Sequence, residues 1–207
     1  MAKNILVLMD LEERHQKMLE EKANSCHFVY ANRKNLTAEM MHKADIILGN
    51  PPVDRIKEAE HLEWLQLGSA GAREYTEGDV LRDGVILTNA SGAFGLAISE
   101  YMLGVLLELY KKLYAYRDNQ MASQWHYEGQ VKAILPSTAL VVGLGDIGGE
   151  FAKRLKALGA YTIGIRRTDT NKPDYLDELF LVEDLESLLP RADIVALSLP
   201  ETNLTDK

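Results

Sequence analysis

The chain has 207 residues, 46% of them hydrophobic and 26% charged, a composition that fits an ordinary globular protein of one large or two small domains. Its formal net charge of −8 argues against nucleic acid as the main partner, because phosphate binding needs a basic face. The single cysteine, Cys26, rules out an internal disulfide and fits a reducing interior.

Short β-rich runs alternate with helical stretches from the start. Ile5–Met9 reads as a buried strand, and it is too short for a signal-peptide core before Asp10 ends it. Leu11–Ala23 reads as an exposed helix, and His27–Ala31 as a second strand. Thr37–Lys43 reads as a short helix with Thr37 as its N-cap. Asp45–Leu48 forms a third strand, closed by Gly49-Asn50-Pro51-Pro52. Val53–Ala59 reads as a helix, Trp64–Leu67 as a fourth strand and Val85–Leu87 as a fifth. Such alternation predicts a parallel sheet with helices on both faces.

A long helix is expected over 93–120. Its apolar positions cover most of its circumference, so it should be buried on several sides, between domains or between subunits. Glu100, Glu108, Lys111 and Lys112 interrupt the apolar run and exclude a membrane span, so a cytoplasmic location is expected. Residues 120–136 are polar and irregular, as suits a connection between domains. Beyond Pro136 the alternation resumes: strand Thr138–Val142, helix Ile147–Leu158, strands Tyr161–Ile165 and Glu178–Val182, helix Asp184–Leu189 with Asp184 as N-cap, and strand Asp193–Leu199.

Gly143-Leu-Gly145-Asp-Ile-Gly148 matches G-x-G-x-x-G in the context the motif needs, with an apolar strand before it and an amphipathic helix opening on it. Gly143 would permit the tight turn, Gly145 a close approach of backbone to pyrophosphate, and Gly148 close packing of helix on strand. Asp146 and Ile147 complete the loop at the helix N-terminus, where free N–H groups face a bound anion. At the end of the next strand stand Arg166, Arg167 and Thr168. Two guanidiniums and a hydroxyl suit the 2′-phosphate of NADP, where an NAD site carries a carboxylate for the ribose hydroxyl. Asp169 just beyond is the residue that would serve NAD instead.

With these residues in hand the chain resembles the D-isomer-specific 2-hydroxyacid dehydrogenases, nearest to the NADP-using glyoxylate/hydroxypyruvate reductase type. The resemblance runs over essentially the whole chain. It rests on the Leu67-Gly-Ser-Ala-Gly-Ala72 loop, Asn89 before a glycine-containing turn, and Ile98-Ser-Glu100 in the long helix. The Gly143–Gly148 loop and Ala192–Pro200 followed by Thr205 complete it. It implies an α/β protein with a flavodoxin-like substrate domain, 1–92, and an incomplete Rossmann dinucleotide-binding domain, 93–207, whose first helix takes part in a homodimer. It also implies that the N–H groups of Ser69, Ala70 and Gly71 hold the carboxylate of a small 2-oxoacid or 2-hydroxyacid. A small-residue turn after a buried strand is chemically suited to that task. Asn50, after the third strand, points to the same cleft. Ser198, Leu199, Pro200 and Thr205 match the stretch along the adenosine and nicotinamide side.

The resemblance further implies an Arg that polarises the substrate carbonyl, a His that moves the proton and a Glu that raises its basicity. All three would lie after the strand that ends here at Pro200, so no catalytic residue is expected within 1–207. None of His15, His27, His42, His61 and His126 fills the gap. The expectation is therefore a piece of a larger reductase. The alternative is a catalytically silent protein that binds a dinucleotide or acts as a dimer scaffold. Half a Rossmann sheet would also leave an unpaired strand edge.

Overall fold

The computed structural model describes residues 2–168, 171–202 and 205. They form two compact units, 1–91 and 92–200, with Glu201, Thr202 and Thr205 grouped with the first. The boundary falls one residue before the expected 92/93 division. The return of the chain after Pro200 was not foreseen from sequence. An ion pair between Arg73 and Glu201 accompanies that return.

The first unit is a five-stranded parallel sheet of β1 (Asn4–Val7), β2 (His27–Tyr30), β3 (Ile46–Leu48), β4 (Trp64–Gln66) and β5 (Ile86–Thr88) in the order β2-β1-β3-β4-β5. This is the flavodoxin-like order, with its switch point between β1 and β3. Helices α1 (Glu13–Lys22), α2 (Ala38–Lys43) and α3 (Arg73–Thr76) complete it. Leu6, Ile47, Leu65 and Met41 form the centre of its core, each almost fully buried. Thr37 caps α2 as expected, its side chain accepting from the Met40 N–H at 3.2 Å. The expected helix at 53–59 is instead a 3-10 turn over Val53–Glu58, and α3 carries no local sequence signal strong enough to announce it.

The second unit begins with α4 (Gly95–Lys111) and α5 (Leu113–Met121). A four-stranded parallel sheet follows, made of β6 (Thr138–Val142), β7 (Tyr161–Arg166), β8 (Glu178–Leu181) and β9 (Ile194–Leu197) in the order β8-β7-β6-β9. That is the first four strands of the Rossmann order. Helix α6 (Asp146–Ala157) packs Phe151, Ala152 and Leu155 on this sheet. The outer edge of β9 pairs with no strand among the described residues, as expected for half a sheet.

The single long helix at 93–120 is not what forms. Lys112 takes a left-handed conformation, φ 56° and ψ 36°, and separates α4 from α5. The cause is tertiary. The Tyr110 carbonyl accepts from the Lys132 N–H at 3.0 Å, and the Lys112 ammonium reaches the Glu128 carbonyl. Within the single chain α4 buries one side only, which leaves the expected burial against another subunit untested. Met102, Leu103, Leu106 and Leu107 pack on the core. Leu96, Tyr101 and Leu109 are 60%, 73% and 61% exposed.

Asp184 differs as well. It ends a 3-10 turn over Val182–Asp184, and its carboxylate accepts from the Leu181 N–H at 3.3 Å rather than capping α7 (Leu185–Leu188). No helix among the described residues is long and apolar enough to cross a membrane.

Candidate functional site

In the first unit the carboxyl ends of β1, β3 and β4 open on a cleft of about 380 Å³. Asn50 follows β3 and organises the loop after β4. Its Oδ1 accepts from the Gly68 N–H at 3.0 Å, and its Nδ2 donates to the Ser69 hydroxyl at 3.0 Å. The Ser69 hydroxyl in turn donates to the Gly71 carbonyl at 2.8 Å. The Ser69 carbonyl accepts from the Ala90 N–H at 2.9 Å, and the Ala70 carbonyl from Asn89 Nδ2 at 2.7 Å. All three carbonyls are thus tied back into the protein.

The N–H groups of Ser69, Ala70 and Gly71 donate to no described protein group. Three successive open amides on a turn whose carbonyls face away form a concavity for an anion. Asn50 and Ser69 line the cleft directly.

Tyr75 anchors the other side of this arrangement. It is buried, and its hydroxyl donates to the Pro51 carbonyl at 2.7 Å. Burial first, and the charge of Glu74 second, push its phenol up to about 12, so it remains a donor throughout the working range of a protein. The loop carrying Asn50 is therefore held at both ends.

Two residues of this cleft escaped the sequence reading, Asp10 and Arg33. Both follow the carboxyl ends of strands, β1 and β2, and the rule that selected Asn50 would have selected them too. None of the five histidines lines the cleft. His42 and His61 instead pack edge to face, 5.1 Å apart, with Glu60 3.8 Å from His42 Nδ1.

In the second unit the loop 143–148 joins β6 to α6. Gly143 has φ +92°, and a Cβ there would lie 2.4 Å from the Ser198 carbonyl oxygen. A Cβ on Gly148 would lie 1.9 Å from the Gly143 carbonyl oxygen and 3.2 Å from the Ser198 Cβ. Both positions therefore admit only glycine. Gly145 is the opposite case, exposed and with nothing within 4 Å of the place a Cβ would take.

Gly145 is also the N-cap of α6, so the first amides of that helix, at Asp146, Ile147 and Gly148, begin beside open space. The Ser198 hydroxyl, next to the loop, is buried and bonds to no described protein group. A pyrophosphate fits this set of groups: an accessible backbone, a helix N-terminus and an unsatisfied donor. Asp146 is half-buried and turns its carboxylate toward Phe94 and Gly95.

β7 ends at Arg166, half-buried, and the chain continues through exposed Arg167 and Thr168. Thr168 borders a recess of about 210 Å³ with Phe180, Leu181 and Asp184. Asp169 lies outside the described residues. Leu199 and Pro200 follow β9 and are exposed. The structure groups Ser198, Leu199 and Pro200 with the glycine loop but Thr205 with the first unit, where its hydroxyl bonds with Thr202.

Residues 103–207 match the sequence model described as the D-isomer specific 2-hydroxyacid dehydrogenase, NAD binding domain. The chain belongs to this family. A D-3-phosphoglycerate dehydrogenase of Methanocaldococcus jannaschii is 28% identical over 97% of the chain, which spans 39% of that relative. A solved D-isomer specific 2-hydroxyacid dehydrogenase family protein from Aeromonas salmonicida is 25% identical with a TM-score of 0.87, over 99% of this chain and 66% of that one. The fold is shared with a D-isomer specific 2-hydroxyacid dehydrogenase of Xanthobacter autotrophicus in complex with NADPH, at 20% identity and a TM-score of 0.76 over 99% and 66% of the two chains. The 207 residues thus span two fifths to two thirds of these dehydrogenases.

Proposed function

We propose that this chain supplies the carboxylate nest and the first half of the dinucleotide cradle of an NADPH-dependent reductase. That reductase converts a small 2-oxoacid, of the glyoxylate or hydroxypyruvate kind, to the D-2-hydroxyacid. The observation that carries the reading is the loop 143–148, shut by packing at Gly143 and Gly148 and open at Gly145. Bound there, the reduced cofactor would supply a hydride to the carbonyl carbon of the oxoacid.

The chain's own groups bind and orient. The amides of Ser69, Ala70 and Gly71 hold the substrate carboxylate, and Asn50 keeps their turn in shape. Gly143, Gly145, Ile147 and Gly148 form the bed of the pyrophosphate, with the Ser198 hydroxyl beside it. Arg166, Arg167 and Thr168 favour a 2′-phosphate, since a guanidinium pairs with phosphate in a bidentate fork. Leu199, Pro200 and Thr205 are assigned to the adenosine and nicotinamide side. The proton-transferring His, with its Arg and Glu, is assigned outside residues 1–207. The exposed apolar face of α4 supports a homodimer, and a cytoplasmic location accompanies the reading.

Titration of the chain with NADPH and with NADH, followed by nicotinamide fluorescence, tests it. Saturable binding with NADPH the tighter ligand is expected. Binding of neither dinucleotide at millimolar concentration overturns the reading, and tighter NADH reverses the cofactor preference.

A further inference from the structure

Asp146 opens α6, yet its carboxylate serves another helix. Oδ2 accepts from the Gly95 N–H at 2.8 Å and from the Phe94 N–H at 3.3 Å, the two residues at the start of α4. No side chain of α4's own first turn caps that end. The fit leaves no spare room. A Cβ on Gly95 would lie 2.1 Å from Asp146 Oδ1 and 2.7 Å from its Cγ, and Gly95 is buried.

A single carboxylate therefore separates the duties of two helix N-termini. Its charge satisfies two amides at the start of α4, those of Phe94 and Gly95. The amides of α6 are left for something else. An aspartate in the first turn of α6 that faced the open side of the loop would repel a pyrophosphate. This one is drawn away, and in being drawn away it ties the turn at Leu144-Gly145 to the helix packed across α6.

We propose that Asp146 is a positioning residue for the dinucleotide: clamped by the N-terminus of α4, it fixes the glycine loop and keeps its own charge off the pyrophosphate. This rests on the dinucleotide reading above. It gives Asp146 a different role from the direct cofactor contact expected from its place in the motif.

The test is a set of NADPH titrations on the chain, each variant first shown to be folded by thermal melting. Asp146→Asn keeps an oxygen acceptor for the Gly95 N–H and should bind within about threefold of the parent, while Asp146→Ala loses the clamp and should bind about tenfold more weakly. Gly95→Ala expels the carboxylate from its cap while keeping the charge. It should be weaker still than Asp146→Ala. Adding Asp146→Ala to Gly95→Ala should then restore affinity to the level of Asp146→Ala alone. Because Asp146→Ala also relieves the clash with a Cβ added at position 95, melting temperatures are read beside the affinities: a merely structural role moves the two together across the four variants, whereas positioning weakens NADPH in Gly95→Ala beyond what its lowered melting temperature accounts for.

If the double variant is no tighter than Gly95→Ala, or if Asp146→Ala binds like the parent, the positioning role is overturned while the dinucleotide reading stands. If Gly95→Ala does not fold, the contrast of Asn with Ala at position 146 decides. If the parent chain binds neither NADPH nor NADH, both readings fail together.

Discussion

A Cβ on Gly148 would sit 1.9 Å from the carbonyl oxygen of Gly143, so the first and last glycines of the loop are locked against each other by backbone alone. Gly148→Ala should therefore damage the fold, at a cost of about 1–3 kcal/mol for forced overpacking. Gly145→Ala makes the informative contrast, because no atom lies within 4 Å of its would-be Cβ. It should leave the melting temperature unchanged yet weaken NADPH about tenfold or more, by occupying the space a phosphate oxygen needs. Thermal melts and fluorescence titrations of the two variants, side by side, check this. Loss of stability in Gly145→Ala would mean that the open face of the loop is structural.

In the proposed reading, the end of β7 sets the cofactor preference. The double change Arg166→Asp with Arg167→Ala removes two cations and adds the carboxylate that an NAD site uses for the ribose hydroxyl. The affinity ratio of NADPH to NADH should fall by about tenfold or more, as expected for losing charge-assisted phosphate contacts. An unchanged ratio would remove these residues from the 2′-phosphate site.

Asn50 should act through the substrate rather than the dinucleotide. Its amide bonds to the Gly68 N–H and the Ser69 hydroxyl, and so holds the turn from the side of the cleft. Asn50→Ala should cost about 1–3 kcal/mol in the first unit, since a part-buried N–H and hydroxyl lose their partner. Binding of glyoxylate, followed by calorimetry, should weaken, while NADPH binding should hold. Equal weakening of both ligands would mean a general loss of structure instead.

The carboxylate of Asp177 links stability to pH. Partial burial alone would raise its carboxyl. Bonds from Lys156 Nζ at 2.5 Å, the Thr162 N–H at 2.8 Å and the Thr162 hydroxyl at 3.1 Å outweigh it and hold the group below its ordinary 3.8. The folded chain thus keeps this charge to lower pH than the unfolded chain does. Its stabilisation is complete above the unfolded value and is lost as pH falls through the folded one. Melting curves of the parent and Asp177→Asn should differ most near neutral pH and converge as pH falls below the ordinary carboxylate range. A difference that stays constant across that range would show that the carboxylate is not held ionised by these bonds.

Much of this architecture was legible in the sequence, and the exceptions share one cause. The strands announced themselves because β-branched runs such as Leu140-Val-Val142 are closed by glycine and proline at either end. The turn at 69–71 was legible as a run of small residues after a buried strand. The break at Lys112 was not, because Leu109-Tyr-Lys-Lys-Leu113 is sound helical sequence. A bond from the Lys132 N–H to the Tyr110 carbonyl accompanies it, and that bond has no local trace. The Asp146 clamp is hidden for the same reason, since its partners lie 51 and 52 residues away. Secondary structure here follows from periodicity, whereas helix breaks and charge placement follow from tertiary bonds.

The exposed stripe of α4 gives the last prediction. Ile98, Tyr101, Val105 and Leu109 turn apolar surface to solvent along one side, while the opposite face of the same helix packs on the core. Burying large aliphatic and aromatic side chains is worth about 1.5–3 kcal/mol each, so leaving several of them wet on one stripe is costly unless a second surface covers them. In the proposed homodimer a second copy of the chain would bring the same stripe to its partner, as a two-fold interface requires. The chain should therefore sediment at twice its 23.2 kDa at micromolar concentration. Tyr101→Glu with Leu109→Glu should shift it to the monomer, because two buried carboxylates per copy would face each other across the axis. The melting temperature extrapolated to low protein concentration should hardly move, since neither side chain belongs to the core. A parent chain that sediments as a monomer at every concentration would remove the homodimer from the proposed function, and the apolar stripe would then need a different partner.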